Sequence, residues 1–125
     1  MWNAMKHVIY TDGASKKEGN FIAWVDETTN EEFSSRSQAK DIFRCEYLAI
    51  LHALQNNKSL KAGDEIEIRC DNEAVVKQLK GEYNMNEEDI RSYALSIRNI
   101  AKNYANVSYV WIPTKENKAG RILGK

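Results

Sequence analysis

Residues 65–79 read EIEIRCDNEAVVKQL, and two hydrophobic periods meet inside them. Ile66, Ile68 and Cys70 alternate with charged residues, the period-2 pattern of a strand with one buried face. Beyond the strand the apolar positions become Ala74, Val75, Val76 and Leu79, a short helix that ends near Gly81. Asp71 stands at the junction. A strand that hands over directly to a helix is the building unit of an α/β sheet. Open sheets of that kind hold their functional crevice at the C-terminal ends of the strands.

Upstream, His7-Val-Ile-Tyr-Thr11 is a β-branched and aromatic run, and it predicts a strand that stops at the turn signal Asp12-Gly13. Lys16 to Asn20 reads as a hairpin loop, Phe21 to Val25 as a second strand, and Thr28 to Glu31 as a polar turn. Glu32 to Ser37 reads as a weaker third strand. Short connections between these three imply an antiparallel meander. Phe43, Tyr47, Ile50, Leu51 and Leu54 then recur at helical spacing, predicting a helix from about Asp41 to Asn56. Lys61 to Asp64 is a turn before the strand of residues 65–70.

Downstream, Ile90, Ala94, Ile97, Ile100, Ala101 and Tyr104 mark a long helix with Asn86 as its expected N-cap. Val107 to Ile112 is the last strand, closed by Pro113. Thr114 to Lys125 leaves room for about two turns of helix. The expected architecture is α/β: a five-stranded mixed sheet, with an antiparallel meander of strands one to three, parallel strands four and five, and flanking helices. Residues 1–125 are expected to form a single domain.

Composition narrows the function classes. The chain of 125 residues is 42% hydrophobic and 29% charged, with one proline and six glycines, which speaks against disorder. No apolar run approaches the roughly 18 residues of a membrane span, and residues 1–6 lack the pattern of a secretory signal. Cys45 and Cys70 match no zinc motif and read as buried reduced thiols, so the cytoplasm is the expected compartment. The 18 basic and 18 acidic side chains balance, so bulk charge is not what would hold nucleic acid. Locally, Arg98, Lys102, Lys115, Lys118, Arg121 and Lys125 face only Glu116 in the last segment, an excess that could meet phosphates or simply be solvated.

Three acids stand where chemistry is expected. Asp12 and Asp71 each follow a strand, and Glu46 lies in the first turns of a helix, one residue before Tyr47 of its apolar stripe. An unpaired carboxylate drawn toward the sheet needs a proton, a basic partner or a metal. Singly, each acid is more often structural: Asp-Gly makes turns, and Asp-Asn before a helix makes caps. Together, three carboxylates from separate elements suit a hard divalent cation with oxygen ligands.

In order and spacing, Tyr10-Thr-Asp-Gly-Ala-Ser15, Arg44-Cys-Glu-Tyr-Leu-Ala49, Ile66-Glu-Ile-Arg-Cys-Asp-Asn72 and Trp111-Ile-Pro-Thr-Lys-Glu-Asn117 resemble ribonuclease HI and its reverse-transcriptase-associated relatives. The resemblance runs from about His7 to Leu123 and implies an RNase H-like fold. It implies an endonuclease that cuts the RNA strand of an RNA–DNA hybrid and leaves 5′-phosphate and 3′-hydroxyl ends. Asp12, Glu46 and Asp71 would be the catalytic metal ligands, with Glu116 or Asn117 as candidate additional ones. Two Mg²⁺ ions, with Mn²⁺ as the alternative, would activate a water and stabilise the leaving oxygen. Gly13, Ala14, Ser15, Asn72, Lys115 and Asn117 would contact substrate, partly through the 2′-hydroxyls that separate RNA from DNA. The implied partner is the hybrid, bound by a monomer away from any membrane.

The chain also departs from that family. Gly120 stands where a fourth acid is usual, and no histidine follows the last strand. Ile42 and Phe43 replace a pair of asparagines before the helical acid, and Glu73 replaces a glutamine. Lys80 to Glu88 is too short and too acidic for a basic protrusion. His7 and His52 are expected to have surface or packing roles. Trp24 and Trp111, on strands, are expected in the core, although they and Trp2 are also the aromatics able to stack on nucleotides. Two other readings therefore stand beside the nuclease: a weakly active or inactive module on the same fold that binds nucleic acid or protein, and a related nuclease with another substrate.

Overall fold

The period-2 and period-3.6 segments become strands and helices in the expected order. The computed structural model describes residues 3–125, so Trp2 lies outside the described residues. The elements are β1 (Lys6–Lys16), β2 (Gly19–Asp26), β3 (Glu31–Ser37), α1 (Ile42–Asn56), β4 (Glu65–Cys70), α2 (Glu73–Leu79), α3 (Glu88–Ala101), β5 (Asn106–Trp111), a 3₁₀ turn (Thr114–Glu116) and α4 (Lys118–Ile122). One five-stranded sheet runs in the order β3-β2-β1-β4-β5. The β1–β2 and β2–β3 pairs are antiparallel, and β1–β4 and β4–β5 are parallel. This is the mixed sheet expected from the sequence.

The pleat sorts side chains to two faces. Ile9 joins Tyr47, Ile50, Ile66, Ile68, Val75, Ile90 and Ile97 in the main core beneath α1, α2 and α3. Tyr10 and Ala14 point the other way, where they pack with Ala23, Ile112, Ala119 and Leu123 beneath α4. Trp24 is buried, as expected, and its indole Nε1 donates to Nδ1 of His52, whose ring stacks on Phe33. Trp111 is not in the core: it is 47% exposed, because it falls on the last residue of β5, beyond the helices that cover the sheet.

Three further expectations are corrected. Asp12-Gly13 is not a turn: β1 continues to Lys16, pairing Asp12 with Ala23 and Gly13 with Ile22. The glycine answers to packing instead, since a Cβ on Gly13 would lie 2.6 Å from Cys45 Cβ and 2.9 Å from Glu46 N. The α3 N-cap is Glu87 rather than Asn86, and it makes no side-chain cap bond. Tertiary charge sets that end of the helix: Arg44 on α1 binds Glu87 and, through Nε at 2.6 Å, Asp89. Tyr104 lies past the end of α3, in the turn before β5.

At the start of β1 the buried His7 is clamped between Asp26 (Nδ1 to Oδ2, 2.8 Å) and Asp64 (Nε2 to Oδ2, 2.9 Å). Asn57 Nδ2 also donates to Asp26, while the backbone N–H groups of Met5 and Lys61 donate to Asp64. This cluster fastens the start of β1 to the end of β2 and to the α1–β4 connection. Its role is structural, and several residues of β1 separate it from Asp12.

Candidate metal centre

Strand register brings two of the acids together. The β1–β4 ladder ends at the pair Thr11–Cys70, so Asp12 and Asp71 are the next residues on two adjacent parallel strands. Cys70 faces the core beneath α1, the pleat of β1 turns Asp12 to the opposite face, and Asp71 stands on the bend just past β4. The third acid arrives on α1. Asp41 caps that helix by accepting from the Arg44 N–H at 2.9 Å, and the missing side chain of Gly13 lets its first turn close on β1. Glu46 is thereby delivered to the Gly13 backbone.

The ligand atoms of Asp12, Glu46 and Asp71 lie within 4.8 Å of one another. Asp12 is fully buried and Glu46 nearly so. Gly13 N–H is shared between Asp12 Oδ1 at 2.9 Å and Glu46 Oε1 at 2.6 Å. Cys70 Sγ donates to Glu46 Oε2 at 3.3 Å. Among the described residues, Asp71 Oδ2 is buried without a hydrogen-bond partner, and the buried Asp12 Oδ2 makes no hydrogen bond but has the Lys125 ammonium 3.1 Å away. Burial, then the adjacent Asp12 carboxylate, pushes the Glu46 carboxyl well above the usual range, although the Gly13 N–H opposes this. Burial and Asp12 also push Asp71 up, against the opposing pull of Asn117, Lys125 and Thr114. Burial and the neighbouring Glu46 likewise hold Cys70 as a thiol.

Crowded acids with an unpartnered buried oxygen are costly in a protein of low internal dielectric. A divalent cation relieves that cost, and carboxylate oxygens are the donors that Mg²⁺ and Mn²⁺ prefer. The three residues therefore fit such an ion.

The other sequence candidates fall in different settings. Asn117 is buried: its Nδ2 donates to Thr11 O at 3.0 Å, and its Oδ1 accepts from Ala119 N–H as the α4 cap. Asn72 Oδ1 accepts from Val75 N–H and caps α2. Ala14 is buried, Ser15, Lys115 and Glu116 are exposed, and Gly13 O accepts from Lys125 Nζ at 2.7 Å. Glu116 is not part of the three-carboxylate cluster. A Cβ on Gly120 would stand 3.0 Å from Asp12 Oδ2, so a side chain there would enter the site.

Of the basic tail, Lys118 pairs with Glu27, Arg98 donates to Gln78 O, and Lys125 reaches Asp12. The reach of Lys125 and the thiol bond of Cys70 were not anticipated from the sequence. A glycine followed by lysine after the last helix, and a cysteine on the same strand face as Ile66 and Ile68, were the available signals. Trp111 borders the site as well, its exposed indole fixed by Nε1 donating to Asp71 O at 3.2 Å. A broad surface depression lined by Lys40, Arg44, Glu87 and Asp89 touches none of the three acids.

Comparison with known proteins adds independent findings. The family model described as reverse transcriptase-like matches residues 11–125. No curated protein sequence matches the chain. Among solved structures, RNase H1 from the halophilic archaeon Halobacterium salinarum is similar with a TM-score of 0.81 and 25% identity, covering 91% of this chain and 90% of that one. LC11-RNase H1, solved in complex with an RNA/DNA hybrid, has a TM-score of 0.81 and 26% identity, covering 92% and 91%. The N-terminal RNase H domain of a Mycobacterium tuberculosis protein, at 22% identity and a TM-score of 0.81 over 93% and 88% of the chains, shares the fold.

Proposed function

The chain belongs to the reverse transcriptase-like family of RNase H-like domains, and on that premise we propose that it is a metal-dependent endonuclease cutting the RNA strand of RNA–DNA hybrids. The observation that carries this reading is the convergence of Asp12, Glu46 and Asp71, whose ligand atoms lie within 4.8 Å of one another and in which Asp71 Oδ2 is buried without a hydrogen-bond partner among the described residues. Support for the substrate comes from the likeness to LC11-RNase H1, whose structure contains such a hybrid.

In this reading Asp12, Glu46 and Asp71 hold Mg²⁺, two ions with substrate bound, and Mn²⁺ can replace it. When bound there, the metal would supply a water of lowered pKa to attack phosphorus and positive charge to offset the departing 3′ oxygen, which would leave 5′-phosphate and 3′-hydroxyl ends. The protein's part is preorganisation. Gly13 N–H orients both Asp12 and Glu46, and Cys70 fixes the second Glu46 oxygen. Asn117 ties the start of α4 to β1 behind Asp12 by donating to Thr11 O. Ligands held this way need no rearrangement when charge develops on the phosphate.

Gly13, Ala14 and Ser15 follow Asp12 along β1 and Asn72 follows Asp71, so their backbone and polar groups are proposed to meet the hybrid beside the scissile bond. Lys115 and Asn117 are proposed to do so from the segment after β5. Residues 1–125 act as one domain and one monomer in the cytoplasm. Among the described residues no helix is long and apolar enough to cross a membrane.

One observation favours a second reading, a binding module without catalysis: Lys125 Nζ lies 3.1 Å from Asp12 Oδ2 on the side that Gly120 leaves open. A panel of labelled hybrid, duplex DNA, duplex RNA and single strands with Mg²⁺ separates the readings. The nuclease reading expects cutting confined to the RNA of the hybrid. Binding without cutting on any substrate would replace it with the module.

A further inference from the structure

The turn after α4 sends a cation back into the acidic cluster. Gly124 adopts φ 81°, the left-handed conformation that glycine reaches without a Cβ penalty. Gly124 N–H donates to Arg121 O at 3.1 Å and Lys125 N–H to Gly120 O at 2.9 Å. These two bonds form a Schellman closure of the helix, and they reverse the chain so that residue 125 lies back alongside α4. The bare Gly120 leaves room for the returning side chain, since Lys125 Cβ and Cδ pass 3.7 Å from where a Gly120 Cβ would stand.

At its tip Lys125 Nζ lies 3.1 Å from Asp12 Oδ2, 3.2 Å from Asp12 Oδ1 and 2.7 Å from Gly13 O. Two carboxylate oxygens and a backbone carbonyl form the all-oxygen surrounding that a hard cation takes. The side chain is 29% exposed, so it has a path out to solvent. Its backbone anchor stays in place if it swings away.

We infer that Lys125 is a tethered cation of the carboxylate cluster: its ammonium occupies one cation position on Asp12, so the protein without substrate takes a single divalent ion. The inference rests on reading the three acids as a metal site. An ammonium and a divalent ion cannot share Asp12 Oδ2 at contact distance without strong repulsion, so a second ion enters only by displacing Lys125. Lysine suits this part, being a compact charge on a flexible four-carbon stem. The ammonium also offsets part of the crowding around Asp12 and Asp71 before metal arrives, and substrate phosphates near the site would draw it off the acids.

The test is Mn²⁺ binding to the full chain at one fixed pH without nucleic acid, followed calorimetrically and by the spin-resonance signal of free Mn²⁺. Wild type, Lys125→Met and Lys125→Arg are compared after circular dichroism has shown them equally folded. Wild type and Lys125→Arg are expected to take one ion. Lys125→Met is expected to take a second, and to bind the first about tenfold more tightly, since one repelling charge is gone. Two ions in wild type, or the same stoichiometry and Kd in Lys125→Met as in wild type, overturns the inference while leaving the metal site standing. No Mn²⁺ in any of the three proteins overturns the metal site and the inference together.

Discussion

Gly13→Ala is the substitution whose consequence can be worked most fully from the structure. The added methyl would stand 2.6 Å from Cys45 Cβ and 2.9 Å from both Cys45 C and Glu46 N. Ordinary carbon contacts need about 3.5–4.0 Å, so the N-terminal turn of α1 must retreat by roughly 1 Å. Two of the opposing atoms are backbone, and a rotamer change cannot absorb the clash. Overpacking of this kind costs about 1–3 kcal/mol of stability. The same retreat lengthens the 2.6 Å bond from Gly13 N–H to Glu46 Oε1 and carries Glu46 away from Asp12. A displacement of about 1 Å at a reacting centre costs on the order of 100-fold in rate. The assay pairs urea unfolding with Mg²⁺-dependent cleavage of a hybrid, beside Ile97→Val as a control. Ile97 is buried in the main core among α1 and α3 residues, and its truncation should cost about 0.5–1.5 kcal/mol with cleavage by the folded protein unchanged. Wild-type stability and wild-type cleavage in Gly13→Ala would refute the claim that close approach of α1 to β1 builds the site.

The same contacts set four other outcomes. His7→Ala leaves the buried Asp26 and Asp64 without their shared partner, so it should lower unfolding free energy by about 3 kcal/mol in urea titrations while metal affinity of the folded protein holds. Burial would raise the Asp64 carboxyl, but backbone N–H bonds from Met5 and Lys61 and the His7 contact hold it below the ordinary value. Its stabilising contribution is therefore present above the unfolded pKa of about 3.9 and is lost as pH falls through the lower folded value; Asp64→Asn should flatten the stability profile over that acidic window. Adding Mg²⁺ to chelator-treated protein at about 100 times its Kd should stabilise it by about 2.7 kcal/mol, a rise in Tm on the order of 10 °C by calorimetry. Trp111→Ala should weaken hybrid binding by about 1–3 kcal/mol in a filter or anisotropy assay, because an exposed ring fixed beside Asp71 is placed to stack on a base.

The sheet was legible because its strands and helices carry strong, distinct periods. Ile66, Ile68 and Cys70 bury one face of β4, and the boundaries expected there, Glu65 to Cys70, are those observed. The Asp41 to Asn56 helix was equally clear, with Asp41 as its cap. Local composition misleads where tertiary contacts overrule it. Asp12-Gly13 has the composition of a turn, yet β2 pairs with both residues, and the glycine is spent on the approach of α1. Asn86 is the better cap by composition, but Arg44 holds Glu87 and Asp89 and so sets where α3 begins. Trp111 has a core residue's chemistry on a strand, but its position at the end of β5 leaves it exposed.

The three acids were readable as candidates, since Asp12 closes the first apolar run, Glu46 borders the apolar stripe of α1 and Asp71 stands between β4 and α2. Their mutual distance was not, because it depends on the register Thr11–Cys70 and on how closely a helix approaches a strand. Lys125 was hidden for a related reason. Its charge is visible in the sequence, but its destination depends on the left-handed turn at Gly124 and on the room above Gly120.

The most direct test of the central claim is cleavage of an end-labelled RNA–DNA hybrid by the purified chain with Mg²⁺ or Mn²⁺, beside Asp12→Asn and Asp71→Asn. The account predicts metal-dependent cutting of the RNA strand to 5′-phosphate and 3′-hydroxyl ends, lost in both variants and in chelator. A well-folded protein that leaves the hybrid intact with either metal, or variants that cut as wild type does, would contradict it.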